Sequence, residues 1–560
     1  MWFALLLLAC DRADGDLELP RARLDTLESA RRASMAVRGH PLSLEELDAL
    51  VADPDALPAL VDAWLETPAF GQTIRDLHQE LLWTRVDGDF EFPARGPLEQ
   101  TDPQAINGAV GEGPLVLAEE VVRSDLPYDD ILTVPWTMVD PVLAVVYGLP
   151  HDPSGPTWQR ATWTDGRPAA GLLADNGMWL RHRSSDTNFE RERANAITRL
   201  FLCQDFASAD LPVLADGGSF ATGGTGPLGE PACAGCHAAI DPIGSYLWGF
   251  RRYILPSEVR DAYTADCRGD HAANCYPFRL WVPEEQDRWS EIGMPAPGLF
   301  GVPGDDLADL GRALADHPSF PSCTASNFAS WLTQSDPDEL PFDRVAAWTD
   351  AFESSGRSAK ALVRAIVLDE AFTTLVADEG GWAPGLQHTR PEQWARSIEV
   401  LTGFRFLATP TAGACEGDTD TCWGEVDLLR TDRYGFRLMM GGISGYQVTE
   451  PTPGPTPTRV LALERAAFEA AGTVVAADLA LPPVDRQLLT ATADGVDDAS
   501  VRAELVHLHR AILGMNLTPI DPEIDAASAL WLEVFAASNQ QDAWKTLVAG
   551  LLMHPAMVSY

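Results

Sequence analysis

The sequence predicts a mainly α-helical fold, built of helical modules joined by long loops. Three observations predict it. Apolar residues recur at helical spacing, as at Ile74, Leu77, Leu81 and Leu82. A helix–linker–helix unit closed by a small-aromatic stop recurs along the chain. Between these units lie aperiodic Pro-, Gly- and Asp-rich stretches such as 88–114 and 148–170. At 46% hydrophobic and 22% charged residues, the 560-residue chain has ordinary globular composition and ample material for a core.

Residues 1–10 form an apolar run in which Leu7-Leu8-Ala9-Cys10 resembles the lipobox of bacterial lipoproteins, without a basic segment before it. That resemblance implies cleavage before Cys10, acylation of Cys10 and attachment to a membrane through a lipid anchor. Residues 11–38, with an Arg/Glu/Leu pattern, are expected to form an exposed helix or tether. An N-terminal helical domain is expected over 39–160. In it Ser43 caps Leu44-Glu45-Glu46-Leu47, with Glu46 at the capping-box position. A second helix runs from Leu57 to Leu65 and stops at Pro68, a third from Phe70 to Val86, and a fourth from Pro114 to Val122. Ile131 to Tyr147 reads as a helical pair interrupted at Pro135 and Pro141.

The next domain, 161–375, begins around Gly171-Leu172-Leu173 and contains a strongly periodic helix from Arg191 to Cys203. The glycine-rich 217–229 lacks the Lys-Ser/Thr of a phosphate loop and reads as a strap. Phe342 to Phe372 repeats the packing unit of Leu42 to Phe70. After a linker at 376–390, a C-terminal helical domain spans 391–560, with loops at 409–424 and 449–458, and closes on a third unit from Leu517 to Met557. The 17 tryptophans fall mostly at helical spacing beside aliphatic residues and are expected in the core.

With 82 acidic against 40 basic side chains, the net charge of −42 argues against a nucleic-acid partner and against a basic lipid-binding patch. Export to the bacterial cell envelope is expected, and the cysteines agree with it. Setting Cys10 aside for lipid and Cys233 and Cys236 for a cofactor leaves Cys203, Cys267, Cys275, Cys323, Cys415 and Cys422. An even remainder in an oxidising compartment suggests three disulfides. The preferred set is Cys267–Cys275 and Cys415–Cys422 as loop clips with Cys203–Cys323 bracketing the segment between. Other pairings, and buried free thiols, remain open.

Cys233-Ala234-Gly235-Cys236-His237 reads as C-x-x-C-H, the attachment signature of a c-type haem. Two thiols three positions apart can each take one vinyl group on one porphyrin edge, and the next residue offers an imidazole as axial iron ligand. Ala238-Ala239-Ile240 continue a short helix, which Pro242 is expected to break at Asp241. A backbone carbonyl freed there is the expected acceptor for the second nitrogen of His237. Arg251 and Arg252 are candidate partners of haem propionates, although such a pair is more often a solvated surface feature. For the sixth ligand Met294, in Gly293-Met294-Pro295, is the first candidate, ahead of His271, His182 and His317. His507 and His509 read as surface or helix-end residues.

Gly171-Leu172-Leu173, the run from Arg191 through Cys203, the C-x-x-C-H and Ile240-Asp241-Pro242-Ile243-Gly244 occur in that order. Together with Cys323 and the helix through Phe372, they resemble the planctomycete- and myxobacterial-type exported cytochrome c-like proteins of uncharacterised function. The likeness covers 40–375 and is strongest over 171–250. It implies one mono-haem cytochrome c-like segment embedded among helical modules, with one covalent haem c held by Cys233, Cys236 and His237. The chain departs from that family in having Trp248-Gly249 before Phe250, where the family has an acidic residue and Asn.

Three function classes follow. The first is a lipid-anchored cytochrome that passes electrons to a redox partner protein. The second is a haem oxidoreductase with an open sixth position. The third is a structural or binding lipoprotein, with zinc at Cys233, Cys236, Cys267 and Cys275, or a disulfide between Cys233 and Cys236. No H-E-x-x-H, G-x-S-x-G or EF-hand loop is present. Asp418 and Asp420 carry no calcium argument in a chain this acidic.

Overall fold

The computed structural model describes residues 23–86, 92, 94–185, 187–207, 231–252, 276–376, 381–408, 425–431 and 434–560. The side chains of 231–233 lie outside that description. Helices dominate, and the strands among the described residues are short antiparallel pairs: Thr137–Val139 with Gln159–Ala161, Gly298–Leu299 with Val302–Pro303, and Leu407–Ala408 with Val426–Asp427. The fold is mainly α.

The first helices form where caps and apolar stripes coincide. α1 (Thr26–Arg38) starts at Asp25, which shares a capping box with Glu28, and ends at Gly39 in the left-handed region. α2 (Leu44–Ala52) starts at the Ser43–Glu46 box read from the sequence. α3 (Leu57–Trp64) is followed by the Thr67 cap of α4 (Pro68–Leu82), so Pro68 opens a helix rather than merely closing one.

α5 (Pro103–Arg123) begins eleven residues before the expected helix at Pro114, because Asp102 caps it and Pro103 takes its first position. Pro114 lies inside α5, and the Val110 carbonyl, four residues earlier, faces Gly177, whose missing Cβ permits the approach. The expected helical pair over 131–147 is instead a 3₁₀ turn (Tyr128–Leu132), a strand and α6 (Pro141–Tyr147). α7 (Asn176–Arg181), α8 (Arg191–Leu202) and α9 (Pro231–Ser245) follow.

Two hydrophobic clusters organise these helices. One runs from Ala30 to Phe372 and includes residues on both sides of position 160. The other runs from Trp394 to Met557. Trp64, Trp179, Trp394, Trp531 and Trp544 are fully buried in them.

Residues 26–38 are not an exposed tether. α1 is buried along most of its length; of its arginines, Arg32 finds partners far away in sequence and Arg38 finds them close by, in Ser34 and Glu46. The Arg32 guanidinium donates to the carbonyls of Phe372 (2.8 Å), Gly385 and Tyr560 (3.0 Å). Arg38 donates to Glu46 at 2.8 Å and lies over the Trp64 ring at 4.5 Å. α1 therefore sits at the seam between the two clusters. There the helix Pro391–Thr402 adds Gln393 donating to the Met35 carbonyl, and its Arg396 reaches Asp76 of α4. Just ahead of that helix, Arg390 pairs with Glu80.

No described helix is long and apolar enough to cross a membrane.

Candidate functional site

α9 carries the C-x-x-C-H, with positions 233 and 236 one helical turn apart. It packs against α8 and against the Gly298–Leu299 strand. α8 is itself fixed by a disulfide from Cys203, its left-handed C-cap, to Cys323 on the helix Ser319–Thr333, with Cα atoms 5.4 Å apart. The cysteine segment is thus seated on a cross-linked platform.

Pro242 does not end the helix. α9 continues to Ser245, and Ala238, whose carbonyl loses its i+4 donor to the proline ring, lies on the exposed side. The expected carbonyl acceptor for His237 is accordingly replaced by a side chain. His237 Nδ1 lies 3.1 Å from Oδ1 of Asp241, one turn on. Asp241 is buried and takes two further bonds from Arg191 of α8, from Nε at 2.6 Å and Nη2 at 3.1 Å. His237 Nε2 has no partner among the described residues, and His237 is only partly buried. Cys236 is a free thiol, partly exposed. A Cβ at Gly235 would meet no atom within 4 Å, so no described residue packs on that part of the helix.

Three consecutive residues, Phe189, Glu190 and Arg191, lie beside the far half of α9 and the turn after it. Phe189 and Glu190 both adopt positive φ (55° and 64°), a strained geometry for side chains of this size. It places each on its own partner. Phe189 stacks on Trp248 with ring centroids 6.4 Å apart, and Gly244 lets the helix close to 3.1 Å (ideal Cβ to oxygen) on the Phe189 carbonyl. Glu190 is buried against Arg193 (2.9 Å) and Arg252 (3.7 Å). Burial pushes the Glu190 carboxyl up to about 7, against the opposing pull of those two guanidiniums. Arg191 then reaches Asp241.

Arg252 is therefore not a solvated partner for a propionate: its guanidinium lies over Trp248 at 4.4 Å and faces buried Glu190. Arg251 is exposed. Gly249 makes room for the Trp281 indole, which would lie 2.5 Å from a Cβ there. Trp281 in turn meets Phe250 edge-on at 4.8 Å.

Met294 is half-buried in a loop fastened to α9, since Ser245 Oγ donates to the Pro295 carbonyl at 2.7 Å. His182 is buried and binds the Leu82 carbonyl through Nε2 at 3.1 Å, and desolvation holds it neutral, well below the ordinary histidine range. His317 Nδ1 accepts from the Ser319 amide. His509 is a buried core residue bonded to the Leu505 carbonyl, not a surface one. Cys10, Cys267, His271, Cys275, Cys415, Cys422, the side chain of Cys233 and the 217–229 strap lie outside the described residues. Among the described residues no group of three or more His, Cys, Asp or Glu gathers as a metal site.

Arg191 and Asp241 are the site residues that sequence reasoning missed. The H-x-x-x-D spacing of 237 and 241 was the available signal, because residues four apart share a helix face.

No protein-family model, curated protein or solved structure matches the chain.

Proposed function

We propose that the chain is an exported mono-haem c-type cytochrome of the bacterial envelope, related to the cytochrome c-like proteins it resembles, anchored by lipid at Cys10 and passing electrons to a redox partner protein. The single observation that carries it is a C-x-x-C-H on one helix whose histidine has Nδ1 engaged by a buried carboxylate and Nε2 without a partner among the described residues. That donor set suits a haem: Cys233 and Cys236 would form the thioether links, and His237 Nε2 would be the axial ligand. Bound there, a haem supplies a one-electron iron couple.

The chain's own residues hold and orient. Asp241 fixes the His237 tautomer and ring angle. Arg191 balances the charge of Asp241. The Cys203–Cys323 disulfide steadies the helix from which Arg191 projects. Met294, on its loop tied to Ser245, is the proposed sixth ligand. The acidic surface would steer a basic partner.

The test is expression in a host that matures c-type cytochromes, followed by haem staining of a denaturing gel. The wild-type chain should stain, and Cys233→Ala with Cys236→Ala should abolish the stain completely. A colourless wild type would overturn the proposal.

A further inference from the structure

Most of what surrounds α9 is helix packing, but the Arg191–Asp241–His237 chain is more than a scaffold. We infer that Asp241, moderated by Arg191, is a positioning residue that lowers the reduction potential of the iron held by His237. This rests on the haem proposal above, and deepens it by naming what tunes the couple.

A ligating histidine must donate its second N–H somewhere, and a backbone carbonyl would suffice to fix the ring. Here the acceptor is a carboxylate oxygen at 3.1 Å. An anionic acceptor draws the Nδ1 proton more strongly than a neutral one, which makes Nε2 the better electron donor. A stronger donor favours the more positive oxidation state of the metal. The side chain of Asp241 is 2% exposed, so little water screens its charge from the ring.

Arg191 works in the opposite sense. Its Nε and Nη2 occupy both Asp241 oxygens and withdraw part of the charge that His237 feels. Arg191 comes from α8, whose far end is held by the Cys203–Cys323 disulfide. The two opposing groups thus come from two different, rigid elements, and each can be removed separately.

The experiment is spectroelectrochemical titration of the purified haem-bearing protein at pH 8, with haem content measured in parallel. In Asp241→Asn the amide oxygen can still accept from Nδ1 while the charge is gone. Haem should stay attached and the midpoint potential should rise. In Arg191→Gln the carboxylate loses its counter-charge and the midpoint should fall. Glu190→Gln removes a buried carboxylate that does not touch His237, and should move the midpoint much less than Asp241→Asn. If Asp241→Asn does not fold, the sign of the Arg191→Gln shift decides. Full haem content with no shift in either variant, or an equal shift in Glu190→Gln, overturns the inference and leaves the haem proposal standing. A wild type without haem overturns the proposal beneath it.

Discussion

Asp76 and Asp241 are both buried aspartates held by arginine, one at the seam between the two clusters and one on α9. At the seam, Asp76 takes Arg85 Nη1 at 2.7 Å on one oxygen and Arg396 on the other. Burial works against its charge, but the Arg396 and Arg85 guanidiniums outweigh that and hold the carboxyl below the usual range. Every strong contact of Asp76 is with a permanent cation, and those cations belong to segments that must stay together. Asp241 has one arginine and one imidazole. The imidazole has a second nitrogen to spend elsewhere. The same residue type is an adhesive in one place and a tuning element in the other, and the identity of the second donor makes the difference.

That contrast gives a double dissociation. The largest stability effect is expected for Asp76→Ala, which strands Arg396 and weakens the hold on Arg85. Breaking such a buried pair typically costs about 3–5 kcal/mol, to be read as a lower urea midpoint, with the iron potential unchanged. A potential that moved with Asp76→Ala would erase the distinction between the two sites.

Next comes the cross-link. Cys203→Ser with Cys323→Ser opens a loop of 120 residues. The expected loss is about 2–4 kcal/mol on the chain-entropy argument, measured by thermal unfolding with and without reductant. An unchanged melting temperature would show that the α8 platform does not depend on the disulfide.

The smallest effect concerns Glu190, a third buried acid whose two arginines do not overcome desolvation. Its carboxyl is raised from the ordinary value to about 7, so the folded state binds a proton more readily than the unfolded chain. Its contribution to stability is full below about 4.5, the unfolded value, and is lost as pH rises through about 7. Urea midpoints for Glu190→Gln should fall less than those of wild type between those pH values. Parallel curves would contradict the assignment.

How far these features could be read in advance depended on how local their causes are. The Ser43 capping box, the α8 span and the C-x-x-C-H are set by residues within a few positions of one another, and each was legible. The preference for pairing Cys203 with Cys323 agrees with the disulfide observed. The exposed reading of α1 fails because Arg32 is satisfied by carbonyls 340 and 528 residues away, which no local pattern records. Asp241 was misread because Pro242 argued for a break. With Ala238 on the exposed side, the helix tolerates the proline, and the carboxylate does what a freed carbonyl was expected to do.

The central claim is covalent haem at Cys233 and Cys236 with His237 on the iron, and a haem-stained denaturing gel of wild type beside the double cysteine-to-alanine variant tests it most directly. A stained full-length band that vanishes in the variant is the predicted result. An unstained wild type from a maturation-competent host, with both cysteines recovered as thiols or joined to each other, would contradict it.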